Sequence, residues 1–246
     1  MKEIVDGVGV HQVVIPVVCF AVCVSFQAWE FAGSHDDVAR ARSLFKSVRA
    51  GWVKNNFLKG TPVCNTTRDY IKSAVFFASS AITLATFTAG YAGAILTDCY
   101  GDDKCGAEEW LLIVKLGVLA AVLLTIFFVL TQCTRFAVHF SFCMNTPEIG
   151  GVPMPHSLLV NLFNHTHRYF SLGFRLYFFT IPVFAWIFTP WALLGVTPLY
   201  VFMVRGLEDA GFVSEELEEI LRLQAEVPTT TASTDRQPTE IKQHAV

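Results

Sequence analysis

Charge is what this sequence has little of. Asp, Glu, Lys and Arg make up 16% of its 246 residues, against roughly 25% in soluble globular proteins. The net charge is only −3, without the clustered basic excess that nucleic acid would want, so no nucleic-acid partner is expected. Catalytic signatures are missing too. No Cys-x-x-Cys pair, His-Glu-x-x-His or Cys/His zinc spacing occurs among the seven cysteines, and nothing resembles a nucleophile elbow, a phosphate loop or an intramembrane carboxylate dyad. His139, His156, His165 and His167 fall in one loop, but His165-x-His167 is not the i, i+4 spacing of a helical zinc pair. The sequence reads as that of a protein without enzymatic activity, metal or cofactor. Its first residues also lack a small-residue cleavage pattern, so the first apolar run is expected to be retained.

What is present is oil. Apolar residues make up 53% of the chain and Phe alone occurs 22 times. Apolar segments run from about Val8 to Trp29, from Ile71 to Leu96 and from Trp110 to Gln132. Each matches the roughly 20 residues a helix needs to cross a bilayer. A fourth, from Leu176 to Val204, carries no charge and holds Pro182, Pro190 and Pro198. It is long for one upright crossing and short for two, about 43 Å at helical rise. The expectation is therefore an all-α, polytopic membrane bundle of four transmembrane helices, the fourth long, tilted and proline-kinked. A tight hairpin near Thr189-Pro190 is the alternative.

Loop charges suggest an orientation. Residues 32–69 and 134–168 carry the basic residues, whereas the loop "TDCYGDDKCGAEE" has five acids and one lysine. The positive-inside rule puts the two basic loops on the cytoplasmic or equivalent side. With four crossings both termini lie opposite; five would return the C-terminal tail to the basic side. The tail's acidic start favours four. Asn65-Thr66-Thr67 and Asn164-His165-Thr166 fit the glycosylation pattern but fall on the basic side, where no sugar is expected. Cys99 and Cys105 share the acidic loop and are a candidate disulfide.

Residues 1–206 form the membrane bundle in this reading. Within it, the first basic loop holds an amphipathic inner-face helix: Val38, Leu44, Phe45, Val48 and Trp52 recur at helical intervals among basic residues, a pattern suited to the headgroup region or to packing on the bundle. Residues 207–226 read as a short acidic helix, with Ser214 at its N-cap, and residues 227–246 as a polar flexible tail.

Polar groups near the membrane are the candidate functional residues. Lys72 and Lys115 sit near span ends and read as interfacial anchors. Arg175 opens the fourth run, where its guanidinium can clamp an anion or lipid headgroup, or pair with Asp69 or Glu30. Arg68 lies near the same side. Along the second span, Ser79, Thr83, Thr86, Gly90 and Gly93 are spaced by three and four. Such a face serves close helix packing or, alternatively, lines a pore.

Two stretches carry a family likeness. "NTTRDYIKSAVFFASSAITL" resembles the entry to the second span in the integral membrane family catalogued as domain of unknown function 599. "GFRLYFFTIPVFAWIFTPW" resembles that family's closing motif, of the form "GLRxYYFxxPLxLWxFGP". Arg68, Arg175, Tyr177, Pro182, Trp186 and Pro190 fall on matching positions. Asp69 replaces an asparagine, and Thr189 stands where glycine is usual, which weakens the hairpin alternative. The resemblance implies architecture and no activity. Function then lies between an accessory subunit of a larger membrane complex, with the lipid bilayer and other membrane subunits or its own copies as partners, and a small oligomeric channel or transporter. A membrane enzyme acting on lipids has only the histidine loop for support.

Overall fold

In a computed structural model, residues 10–32, 36–102 and 106–208 are described, together with Glu219 and Arg222. Six helices form nearly all of it: α1 (Val10–Ala32), α2 (Asp36–Asn56), α3 (Thr61–Asp102), α4 (Ala107–Met144), α5 (His156–Phe188) and α6 (Pro190–Glu208). Strands β1 (Glu148–Ile149) and β2 (Val152–Pro153) pair antiparallel between α4 and α5. Their turn needs φ > 0 at both central positions, which Gly150 and Gly151 supply at 59° and 81°. Residues 209–218 and 227–246, with most of the expected acidic helix, lie outside the described residues.

Helices α1, α3, α4 and α5 are each long and apolar enough to span a membrane. They also run further than hydropathy alone suggests. At 42 residues, α3 is about 63 Å long, twice a typical hydrocarbon core. Its first turns, before Ile71, reach the end where Val53, Val63, Phe140, Met144, Met154, Leu159 and Phe163 form a second apolar core. Phe140 and Phe163 stack at 4.8 Å between centroids, and Trp52 packs 5.5 Å from Phe163. This core pins α2 across the first half of α5. The α2–α3 turn is fastened to it as well: Leu58, in the left-handed region at φ 62°, donates its N–H to the Met144 carbonyl at 3.2 Å.

The main membrane-level core lies between α3, α4 and α5. Ala74, Ala78, Ala81 and Ala85 present a small-residue face to Leu119, Leu123, Ile126, Leu130 and Val183, so α3 packs through its alanines. Packing proceeds in the order α3, α4, α5, α6, α1, which leaves α3 at one edge. The two cysteines of α1 pack as small hydrophobes. Cys19 is buried against Trp186 and Leu193, and Cys23 against Tyr200 and Val204.

The fourth apolar run is a hairpin, and the single kinked helix expected from its length is corrected. Phe179 and Tyr200 pack with ring centroids 6.0 Å apart, whereas a continuous helix would separate residues 21 apart by about 31 Å. Local chemistry sets the break. A residue before proline is pushed toward extended backbone, and Thr189 sits at φ −163°, ψ 148°. Pro190 then occupies the first turn of α6, where its missing N–H costs nothing. The Trp191 N–H donates to Thr189 Oγ1 at 3.4 Å, and the Leu193 N–H to the Thr189 carbonyl. Threonine in place of glycine is thus an N-cap and supports the reversal. Pro182 and Pro198 remain inside α5 and α6.

Reversal at Thr189 brings Val204 back beside Arg175. The C-terminal end of α6 therefore lies at the same end of the bundle as the basic segments 32–69 and 134–168, not opposite them. We call this the basic end. Glu108 and Glu109 open α4 at the other, acidic end.

Candidate functional site

The candidate residues do not form one constellation. Arg68 lies on an exposed face of α3, where its Nη2 donates to Asn65 Oδ1 at 2.9 Å. Asp69 is exposed as well. Neither lines the cavities around Arg175, so the structure does not bring Arg68 and Asp69 together with Arg175. The Glu30 side chain lies outside the described residues. Cys99 is disulfide-bonded; Cys105, its expected partner, lies outside them too.

Arg175 lines a cleft built by α2, α5 and α6. Its polar part, about 370 Å³, is bounded by Lys46 and Arg49 of α2 and by Asn164, His167, Arg168, Ser171 and Arg175 of α5. No carboxylate is among these lining residues. On α5 the polar side chains recur every three or four positions, a single helical stripe. Docking of Trp52 and Val53 into the basic-end core brings the preceding turn of α2 over that stripe. There the Arg49 Nε donates to Asn164 Oδ1 at 2.8 Å. The Asn164 Nδ2 is buried without a partner among the described residues. Half-burial of Arg49 lowers its pKa from the ordinary arginine value, desolvation outweighing the influence of Tyr70. Tyr70 in turn lies 3.3 Å, through its hydroxyl, from His167 Nδ1.

A second cavity of about 230 Å³ adjoins the first through His167, Ser171 and Arg175. Phe170, Phe174, Phe178 and Val204 supply its walls, so polarity falls along the cleft in the direction of the membrane-spanning part of α5. Sequence reasoning found Arg175 but missed Lys46, Arg49 and Asn164 as its companions. Of the apolar stripe expected on α2, Trp52 packs on the basic-end core beside Val53, whereas Phe45 and Val48 are exposed and the Val38 and Leu44 side chains lie outside the described residues.

Ser79, Thr83, Thr86, Gly90 and Gly93 all face outward from the edge helix α3. Thr83 and Thr86 donate to carbonyls of their own helix, Ser79 O and Ile82 O, at 2.8 and 2.9 Å. A Cβ placed on Gly90 or Gly93 would meet nothing within 4 Å. Large apolar groups flank this face, among them Phe87 at 72% exposure.

Lys115 departs from the interfacial-anchor expectation. It is buried at 6% exposure, its Nζ 5.7 Å from the Trp186 ring centroid and 3.5 Å from the Ile187 carbonyl, to which it donates. A cation over an indole face and beside a helix C-terminus is doubly favoured. Lys115 thus ties α4 to the end of α5, while Lys72 remains exposed as expected.

No group of three His, Cys, Asp or Glu is placed to hold a metal ion among the described residues. The family described as "Protein of unknown function, DUF599" matches residues 14–210. The chain belongs to the DUF599 family. Comparison with curated proteins and with solved structures finds no match. The DUF599 match spans all six helices apart from the first four residues of α1, so it covers both the basic cleft and the α3 face.

Proposed function

We propose that this DUF599 protein is a non-catalytic accessory subunit of a larger membrane assembly, oriented with its basic end toward the cytoplasm or an equivalent compartment. The observation that carries this reading is the outward face of α3. A glycine inside a helix costs about 1 kcal/mol relative to alanine, and among the described residues nothing approaches Gly90 or Gly93 to use the space. A helix from another chain, lying close against α3, accounts for that cost. The orientation rests on the basic residues gathered in segments 32–69 and 134–168.

A channel formed between copies would use the same face. Within one chain, the membrane-level core is filled by Ala, Leu and Ile side chains. The Thr83 and Thr86 hydroxyls of α3 already bond to their own helix. These features favour the accessory role.

A photo-crosslinking side chain at Thr86 tests the docking face in native membranes, with the exposed α6 position Phe202 as control. We expect one protein adduct of fixed mass from Thr86 and only lipid adducts from Phe202. Lipid adducts alone at both positions would remove the support for this reading. An adduct of two copies of this chain would turn it toward self-association, and flux through reconstituted liposomes would then decide whether a pore forms.

A further inference from the structure

We propose that the cleft between α2, α5 and α6 is a binding site for an anionic glycerophospholipid, its phosphate held by Lys46, Arg49 and Arg175 and one acyl chain lying along Phe174 and Phe178. This goes beyond the accessory role and does not depend on it. The argument starts from the pairing of two unlike cavities. A site for a soluble anion needs only the basic part. A site for hydrocarbon needs only the aromatic part. Here the two adjoin through Ser171 and Arg175, and the order from charged to apolar matches the order of groups in a phospholipid from headgroup to chain.

The basic part is suited to a phosphate oxygen in particular. Arg49 is fixed by its Nε bond to Asn164, and its Nη nitrogens make no hydrogen bond among the described residues. A planar guanidinium held in this way can offer parallel donors to a phosphate, which the point charge of a lysine cannot. Half-burial depresses the pKa of Arg49, so an anion in the cleft would restore the stabilisation that its charge loses to desolvation. The buried Asn164 Nδ2 supplies a further donor, and no carboxylate is among the described residues that line the cleft.

The aromatic part gives the chain its place. Phe174 and Phe178 lie one helical turn apart on α5 and pack edge-to-face with centroids 5.3 Å apart. Val204 on α6 closes the opposite wall. This groove exists only because α6 folds back at Thr189, so the hairpin creates the acyl part of the site.

Native mass spectrometry of the full chain in a zwitterionic detergent provides the test. The probes are phosphatidylglycerol, phosphatidylcholine with the same acyl chains, and glycerol phosphate as a headgroup without chains. Phosphatidylglycerol should bind at least tenfold more tightly than phosphatidylcholine, and glycerol phosphate at equal concentration should not displace it. Arg49→Gln should weaken phosphatidylglycerol binding about tenfold, the size of one hydrogen bond to a charged group. Ser171→Phe, which fills the junction without altering charge, should abolish the preference. Lys54→Gln, on the exposed side of α2, should leave it unchanged. Equal binding of the two lipids overturns the proposal, as does displacement by glycerol phosphate, which would mark a soluble-anion site. So does unaltered binding by Arg49→Gln and Ser171→Phe proteins. Arg49→Gln keeps the test decisive if Ser171→Phe fails to assemble.

Discussion

Gly173→Ala is expected to lower the unfolding midpoint of the detergent-solubilised protein by about 2–12 °C, and Gly173→Leu to prevent assembly of the bundle. Gly173 is buried on α5 where it crosses α4. A Cβ there would lie 2.5 Å from Leu130 Cδ2 and 2.8 Å from Leu130 Cγ. Leu130 cannot easily yield, because it is fully buried in the main core with Ile126 and Cys133. Inserting one methyl into a filled interior costs roughly 1–3 kcal/mol, and each kcal/mol moves the midpoint of a chain this size by about 2–4 °C. A leucine adds three more carbons to the same contact. Gly117→Ala, on an exposed position of α4 where a Cβ meets nothing within 4 Å, is the control and should be neutral or stabilising. Thermal unfolding followed by circular dichroism separates the two, and equal midpoints would show that α4 and α5 do not meet closely at Gly173.

The second large effect is all-or-none and concerns the hairpin. A cysteine introduced at Gly206 should react with a membrane-impermeant maleimide from the same side as native Cys64. Cys64 is exposed near the start of α3, and Gly206 is exposed near the end of α6. Both lie at the basic end once α6 folds back. A cysteine at Trp191, exposed in the first turn of α6, should react only from the other side. Each reporter is best introduced with the remaining free cysteines replaced. Labelling of Gly206→Cys from the side opposite Cys64 would restore the single crossing and remove the acyl groove.

Where the sequence succeeded, the physics was that of solvent transfer. Runs such as Trp110–Gln132 announce themselves because charge is costly in hydrocarbon. It failed where interactions between helices decide. The stripe Asn164, Arg168, Ser171, Arg175 has helical spacing, but it was hidden by treating residues 134–168 as loop. Its partner Arg49 could not be assigned at all, since only the docking of Trp52 on α4 and α5 tells which face of α2 looks at α5. Lys115 was misjudged for a similar reason: the Trp186 face and the Ile187 carbonyl that hold it come from 70 residues away. On α3 the hydroxyl and glycine face drew notice, while the alanines at 74, 78, 81 and 85, equally periodic, make the contact within the chain. Periodicity marks a face without naming its neighbour.

The measurement that bears most directly on the functional reading is the native mass of the particle released from its own membrane by mild detergent, with every companion chain identified by mass. The expected result is an assembly well above the 27.3 kDa of one chain that holds fixed, non-identical companions and breaks down when Gly90 and Gly93 are changed to leucine. A particle containing this chain alone, unaltered by those substitutions, would contradict the accessory role.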